Sequence, residues 1–263
     1  MVTQAPAAVA PADPVAAPLW FRHGDDALPA AGGPGHGPVV QLWLIDLASS
    51  QGDPAALDEE ERRRARAFVR EADRIRYRAA HIALRELLGA FLGLAPAVVA
   101  LSRALCPACR GPHGRPVVAG SVPGAPHFSL SYAGDTALAA FAVTPVGVDI
   151  ERVPSLATAM DVADTLHPLE RAELLALPEP ERPRAFARCW TRKEAYLKGT
   201  GLGLTEGADE PYVGCAAAPV RPAGWAVHDL APGDGLLAAV AVETVTRRTS
   251  RIPLRTPSER ELS

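Results

Sequence analysis

Leu138-Ala-Ala-Phe-Ala-Val143 and Leu237-Ala-Ala-Val-Ala-Val242 are nearly the same string, about 100 residues apart. Each is an apolar run of strand length and the return arm of a hairpin. The first follows Phe128–Tyr132 across Ala133-Gly134-Asp135-Thr136. The second is part of Leu236–Glu243 and follows Trp225–Leu230 across Pro232-Gly233-Asp234-Gly235. Alanine-rich strings recur by chance, but each hairpin here ends a long segment that also holds helical patterns. Two similar α+β halves, each an antiparallel sheet packed with helices and joined near Thr144–Val148, form the simplest reading. The halves expected are 39–147 and 148–245.

Upstream, Val39–Leu47 (VVQLWLIDL) reads as the first strand. A helix then opens at Asp58, a candidate N-cap with Glu61 three residues on. It carries Arg62, Arg63, Arg64, Arg66 and Arg70. In the next helix Ala80, Leu84, Leu87, Leu88 and Phe91 form a buried stripe. Arg74, Arg78 and Arg85 read as its solvated face. Residues 1–38 are a Pro/Ala/Gly tract expected to be a disordered tail, partly ordered around Leu19-Trp20-Phe21. Residues 246–263 read as a second, flexible tail.

The chain has 263 residues, enough for a core without disulfide or metal staples. Lys+Arg 27 against Asp+Glu 30 gives no bulk reason to expect a nucleic-acid partner. Pro, Arg or Asp interrupts every apolar stretch before it reaches membrane-spanning length. The N-terminal tract lacks a basic start and an unbroken apolar run, and the four cysteines form no dense framework. A reducing cytoplasm is the expected setting. The 26 prolines and low aromatic content (5%) first suggest disorder, but many prolines fall in the tails and the 104–126 connection. Trp43, Phe128 and Trp190 meanwhile sit on predicted core elements.

Chemistry starts at the junction, Gly147-Val148-Asp149-Ile150-Glu151. On a strand, Asp149 and Glu151 share one face about 7 Å apart while Val148 and Ile150 anchor the other. Such a pair can hold a hard cation or simply sit in water at a strand end. The second stretch is Cys189-Trp-Thr-Arg-Lys-Glu-Ala-Tyr-Leu-Lys-Gly199. Phe186, Cys189, Trp190 and Leu197 make an apolar helical stripe. Glu194 and Lys198 stand at i and i+4, which by itself is a helix salt bridge. Lys193 lies in phase with the stripe, so it must snorkel or meet an anion. Gly199 reads as the residue that ends the helix. Gly201 and Gly203 follow a helix, so they do not make a dinucleotide fingerprint.

Taken together, GVDIE and the downstream WTRKEAYLKGTG resemble the signature pair of the 4'-phosphopantetheinyl transferases, in their long, monomeric, surfactin-synthetase-activating type. Gly114-Arg115-Pro116 and Phe128-Ser-Leu-Ser131 are similar to two further motifs of that family, so the resemblance runs from about 57 to 205. It implies a pseudo-twofold α+β fold with the active site at the interface between halves. It also implies transfer of 4'-phosphopantetheine from coenzyme A to a serine of an acyl, peptidyl or aryl carrier protein. Adenosine 3',5'-bisphosphate is released. The carriers would be domains or partners of polyketide, nonribosomal peptide or fatty acid synthases. By the resemblance Asp149, Glu151 and Glu194 hold Mg²⁺, with Mn²⁺ as an alternative. Glu194 also serves as base for the serine hydroxyl, and Lys198 stabilises the leaving phosphate. Arg64, Arg76, Arg115, Ser131, Tyr132 and Lys193 fall among the expected coenzyme A contacts. An internal duplication would leave the chain a monomer.

One departure stands out. Tyr132 occupies the place where the family usually has His, and His127 is out of register with the motif. A phenol can donate a hydrogen bond to phosphate but is no base near neutrality. Tyr132 is therefore expected to assist binding rather than proton transfer. Cys106-Pro-Ala-Cys109 with His113 resembles half of a zinc site. Neither Cys189 nor Cys215 is an evident fourth ligand, so an ordinary loop is the preferred reading and zinc the lesser one. Arg184, Arg188 and Arg192 step along one helix and either form a basic docking rim for an acidic carrier or a plain solvated face. The competing functions are a Mg²⁺-dependent phosphohydrolase and a non-catalytic coenzyme A or carrier-protein binding module.

Overall fold

A computed structural model describes residues 15, 17–21, 40–49, 52–120, 122, 124–203, 209–233 and 235–244. Strand β1 (Leu19–Phe21) lies parallel to β2 (Val40–Asp46) at the sheet edge, Leu19 opposite Trp43. The tails expected at 1–38 and 246–263 otherwise lie outside the described residues. So does Asp234 of the predicted second turn.

Helix α1 (Glu59–Ala67) begins where the capping box places it. The Glu61 N–H donates to Asp58 Oδ1 at 2.8 Å, and the Asp58 N–H donates to Glu61 Oε2 at 3.0 Å. Helix α2 (Glu71–Leu92) follows, then two three-residue strands, β3 (Leu101–Arg103) and β4 (Pro116–Val118), which pair with each other. The first long hairpin is β5 (His127–Ala133) and β6 (Thr136–Ala142). Strand β7 (Val146–Arg152) leads to α3 (Leu156–Ala163), α4 (Pro168–Ala176) and α5 (Arg182–Thr200). The second hairpin, β8 (Trp225–Gly233) and β9 (Leu236–Glu243), ends the described chain.

The central strands are apolar on both faces, so each must lie between two layers. Val40, Leu42 and Leu44 of β2 and Leu138, Ala140 and Ala142 of β6 pack on Val146, Val148 and Ile150 of β7 and on alternate residues of β9. Their opposite neighbours, Trp43, Ile45, Ala139 and Phe141, pack on the α2 stripe, including Leu84, Leu87, Leu88 and Phe91. Ala239 and Ala241 of β9 turn the other way, onto Ala195 of α5. The architecture is α+β with helix, sheet, sheet and helix stacked in that order. One sheet runs β1-β2-β6-β5 and the other β7-β9-β8. At the edges β5 meets β7 through side chains: the Val148 N–H donates to Ser129 Oγ at 3.1 Å.

Two arginines read as surface residues are buried. Arg85 is 1% exposed, with Nε 2.6 Å from Glu61 Oε2 and further bonds to Asp58 and the Val99 carbonyl. The carboxylates that cap α1 thus also bind α1 to α2. Arg192 is completely buried against Asp229 of β8 and the Gly214, Ala216 and Ala217 carbonyls. Arg188 is turned inward onto the Cys215 carbonyl, which leaves Arg184 as the exposed member of the expected rim.

Candidate active site

Two glycines bring the site together. A Cβ on Gly147 of β7 would stand 2.0 Å from the Ala195 carbonyl oxygen and 2.4 Å from the Gly199 nitrogen. A Cβ on Gly199 would meet the Trp225 ring at 2.6 Å. Gly199 is therefore not the helix terminator that its place in the sequence suggests. Gly201, at φ 81°, caps α5 in the left-handed region, while Gly199 lets the helix lie directly on the strand.

That approach sets Glu194 and Lys198 beside Asp149 and Glu151. Asp149 is 2% exposed. Its Oδ1 accepts from Lys198 Nζ at 2.6 Å and from Ser131 Oγ at 2.8 Å, and Lys198 Nζ lies 2.9 Å from the same hydroxyl. Asp149 Oδ2 is buried without a hydrogen-bond partner. Burial and then the Asp149 charge push the Glu151 carboxyl up to about 7, with Lys198 opposing. Burial also raises Glu194, opposed by Lys198 and reinforced by Asp149. Carboxylates that resist ionising together, one with an orphaned oxygen, are a donor set that a hard divalent cation would satisfy. The residues present fit such an ion.

Beside this cluster opens a cavity of about 440 Å³, whose wall includes Arg64, His81, Arg103, Arg115, Tyr132 and Lys198. Arg115 Nη1 donates to the Gly199 carbonyl at 3.1 Å, while its buried Nε has no partner. Burial raises the Tyr132 phenol, only partly offset by Arg64, so it stays protonated at neutral pH. Arg64, Arg115 and Tyr132 thus share the cavity, and Ser131 lies in the adjoining polar network. Arg76 and Lys193 do not join them. Arg76 Nε pairs with Asp135 of the β5–β6 turn at 2.8 Å. Lys193, 1% exposed, meets its anion inside the protein: Nζ is 2.8 Å from Glu170 of α4. His81 and Arg103 are cavity residues that the sequence reading passed over. The phase of His81 with Leu84, Leu88 and Arg85 along α2 was the available signal.

Among the described residues, the His/Cys/Asp/Glu group whose donor atoms all lie within 4.8 Å of one another is Cys106, Cys109 and His113. The acidic trio is looser than that. No helix among the described residues is long and apolar enough to cross a membrane.

The 4'-phosphopantetheinyl transferase superfamily profile matches residues 145–219, a span that includes β7 and α3 to α5. The 4'-phosphopantetheinyl transferase HetI of Nostoc is 31% identical over 216 residues, covering 77% of this chain and 87% of the relative. A phosphopantetheinyl transferase of Thraustochytrium is 32% identical over 178 residues, 63% of this chain and 59% of its own. The 4'-phosphopantetheinyl transferase Sfp of Bacillus subtilis is 31% identical over 80 residues, 30% of this chain and 35% of its own. With a likeness that spans most of HetI and a profile match over the elements that carry the acidic cluster, the chain belongs to the 4'-phosphopantetheinyl transferase superfamily and is an enzyme of that class.

Proposed function

We propose that the enzyme moves 4'-phosphopantetheine from coenzyme A to the serine of an apo carrier protein and releases adenosine 3',5'-bisphosphate. The observation that carries this reading is the juxtaposition of the Asp149–Lys198 pair with the Arg64- and Arg115-lined cavity. A nucleotide with phosphates needs cationic walls, and a diphosphate under attack needs charge neutralised next to it.

In this reading Asp149, Glu151 and Glu194 hold Mg²⁺, or Mn²⁺ in its place. When bound, the ion supplies positive charge to the diphosphate oxygens. The protein's own groups do the rest. Arg115 and Arg64 bind the nucleotide phosphates, with Tyr132 as a neutral donor. Glu194, on the face of α5 that meets the acidic strand, takes the proton of the serine hydroxyl. The serine oxygen bonds to the phosphorus of the phosphopantetheine arm. The phosphorus–oxygen bond to the nucleotide breaks, and Lys198 stabilises the charge left on the departing phosphate. Ser131 holds Lys198 and Asp149 in place through its hydroxyl. Arg76 and Lys193 have no part in this scheme.

The pseudo-twofold arrangement of two halves, with the site between them, belongs to the same reading. The matching strand orders β2-β6-β5 and β7-β9-β8 support it, each placing its first strand beside its last. So does the way β5 and β7 contribute Ser131 and Asp149 to one network. We also read the enzyme as a cytoplasmic monomer serving polyketide, nonribosomal peptide or fatty acid carriers.

Incubation with Mg²⁺, coenzyme A and apo carrier proteins, followed by intact-mass measurement, tests the reaction. The carrier should gain the mass of phosphopantetheine. No gain across acyl, peptidyl and aryl carriers would sink the proposal, and coenzyme A hydrolysis instead would favour a phosphohydrolase. Glu194→Ala should abolish turnover, whereas Tyr132→Phe should chiefly raise the KM for coenzyme A. Equal loss in both would make Tyr132 part of the proton transfer.

A further inference from the structure

We propose that Cys106, Cys109 and His113 form a zinc site that clasps the loop leading into the nucleotide cavity. The spacing C-x₂-C followed by a nearby histidine is one that zinc-binding turns use. The structure adds what spacing alone cannot: the three donor atoms converge within 4.8 Å of one another, and Cys109 Sγ is 2.8 Å from His113 Nε2.

The loop is built around that convergence. The Cys106 N–H donates to the Gly111 carbonyl at 2.8 Å, the Arg110 N–H to the Cys106 carbonyl at 2.9 Å, and the Gly111 N–H to Cys109 Sγ at 3.4 Å. Arg110, at φ 63°, is the one non-glycine residue in the left-handed region among the described residues, a conformation that persists only where its surroundings enforce it. A Cβ on Gly111 would press on His113 Cδ2 at 2.9 Å and on Cys109 Sγ at 3.3 Å, so the glycine leaves the two donors room to meet.

Apolar burial supplies little of that enforcement. Leu105 is 52% exposed and Pro107 through Arg110 are exposed, which leaves the Cys106 side chain as the loop's inward anchor. Thiolates select a soft or borderline ion over Mg²⁺ or Ca²⁺, and two thiolates with one neutral imidazole match the charge of Zn²⁺. Among the described residues no further His, Cys, Asp or Glu joins the group, so the fourth tetrahedral position falls to solvent. A disulfide between the two cysteines would use the same sulfurs but would give the imidazole no role.

The clasp has a mechanical purpose. The Gly114 N–H donates to the Ala104 carbonyl at 2.9 Å and the Ala104 N–H to the Arg115 carbonyl at 3.0 Å, so the clasped loop and the start of β4 are one piece. His113, Gly114 and Arg115 all line the cavity. Zinc binding would hold the backbone from which Arg115 reaches Gly199 of α5.

Metal content reads this site independently of the transferase reaction. The full chain, purified under reducing conditions without chelator or a metal-binding tag, should carry one zinc per molecule by elemental mass spectrometry. Cys109→Ser and His113→Ala, both at exposed positions, should lose it while keeping the wild-type circular dichroism spectrum. Replacement by Co²⁺ should give thiolate charge-transfer absorption that Cys109→Ser abolishes. Trypsin should cut after Arg110 faster in chelator than with Zn²⁺ present. A chain that holds no zinc as purified and takes up none when offered Zn²⁺ with reductant overturns the proposal. So does a Cys106–Cys109 disulfide that forms in the presence of zinc, which would make the pair redox-active instead.

Discussion

Gly147→Ala is the sharpest perturbation of the proposed active site, because it adds one methyl and removes no polar group. Its Cβ would stand 2.0 Å from the Ala195 carbonyl oxygen, where ordinary van der Waals contact begins at 3.4 Å. Both obstructing atoms are backbone, so no side chain can swing aside, and α5 must retreat from β7 by the difference, about 1.4 Å. Overpacking of this kind costs about 1–3 kcal/mol. At roughly 2–4 °C per kcal/mol for a chain of this size, Tm should fall by several degrees. The retreat also carries Glu194 and Lys198 away from Asp149, stretching a 2.6 Å ion pair to the limit of contact. A misplacement of about 1 Å between reacting groups can cost on the order of a hundredfold in rate. The expected result is a folded protein with a modestly lowered Tm, read by differential scanning calorimetry, and turnover down by about that factor at saturating coenzyme A and carrier. Gly147→Ala with wild-type Tm and turnover would refute the claim that this close approach sets the site. A loss of turnover confined to KM would place the effect in the cavity rather than the acidic cluster.

Arg115→Ala should raise the KM for coenzyme A by about tenfold to a hundredfold, the range for losing a charge-assisted hydrogen bond, and Arg115→Lys should not restore it. In EDTA, Glu151 contributes stability that is fully present below pH 4.5 and lost as pH rises through about 7, since the fold favours its protonated form. Glu151→Gln should flatten that decline relative to wild type in chemical denaturation, and an unchanged slope would reject it. Lys193→Met should cost about 3–5 kcal/mol by leaving Glu170 buried without its counter-charge, with the KM for coenzyme A unchanged. A raised KM at unchanged Tm would return Lys193 to the nucleotide.

What the sequence disclosed and what it hid divide along the range of the interactions. The Asp58–Glu61 capping box, the two hairpins and the alternation in Gly147–Glu151 are local patterns, and they appear in the structure where they were read. The shared strand face of Asp149 and Glu151 and the shared helix face of Glu194 and Lys198 were legible, but only the family resemblance joined the two into one cluster. Arg85, Arg192 and Lys193 were harder. Their partners Glu61, Asp229 and Glu170 are more than twenty residues away, so a helical face suggested solvent for the arginines, and the anion that the phase of Lys193 called for could not be named. Gly199 was misread for a related reason. A glycine near a helix end looks like a cap until the strand that needs its missing side chain, Gly147, is placed beside it. The Cys106–His113 loop lies in between: its spacing was visible, but convergence depends on the left-handed turn at Arg110, which no local preference announces.

The buried charges around α5 have a positional consequence. The helix rests on β7 and β9 through Gly199 and Ala195, small residues that set its distance from the strands but make no directional side-chain bond of their own. Successive residues on an α-helix differ by about 100° in direction, so even a modest rotation would swing Glu194 and Lys198 off the Asp149 cluster. Arg192 ties one side of the helix to Asp229 of β8, and Lys193 ties the next to Glu170 of α4. Buried pairs of this kind add little net stability over well-packed apolar residues, so stability is a weak reason for having them. They do impose directional bonds at two neighbouring positions that immediately precede Glu194. A rotation of the helix must break one of them. The cations that look surplus in the sequence thereby fix the azimuth of the helix, and with it the direction from which the proposed base and the phosphate-stabilising lysine face the acidic strand.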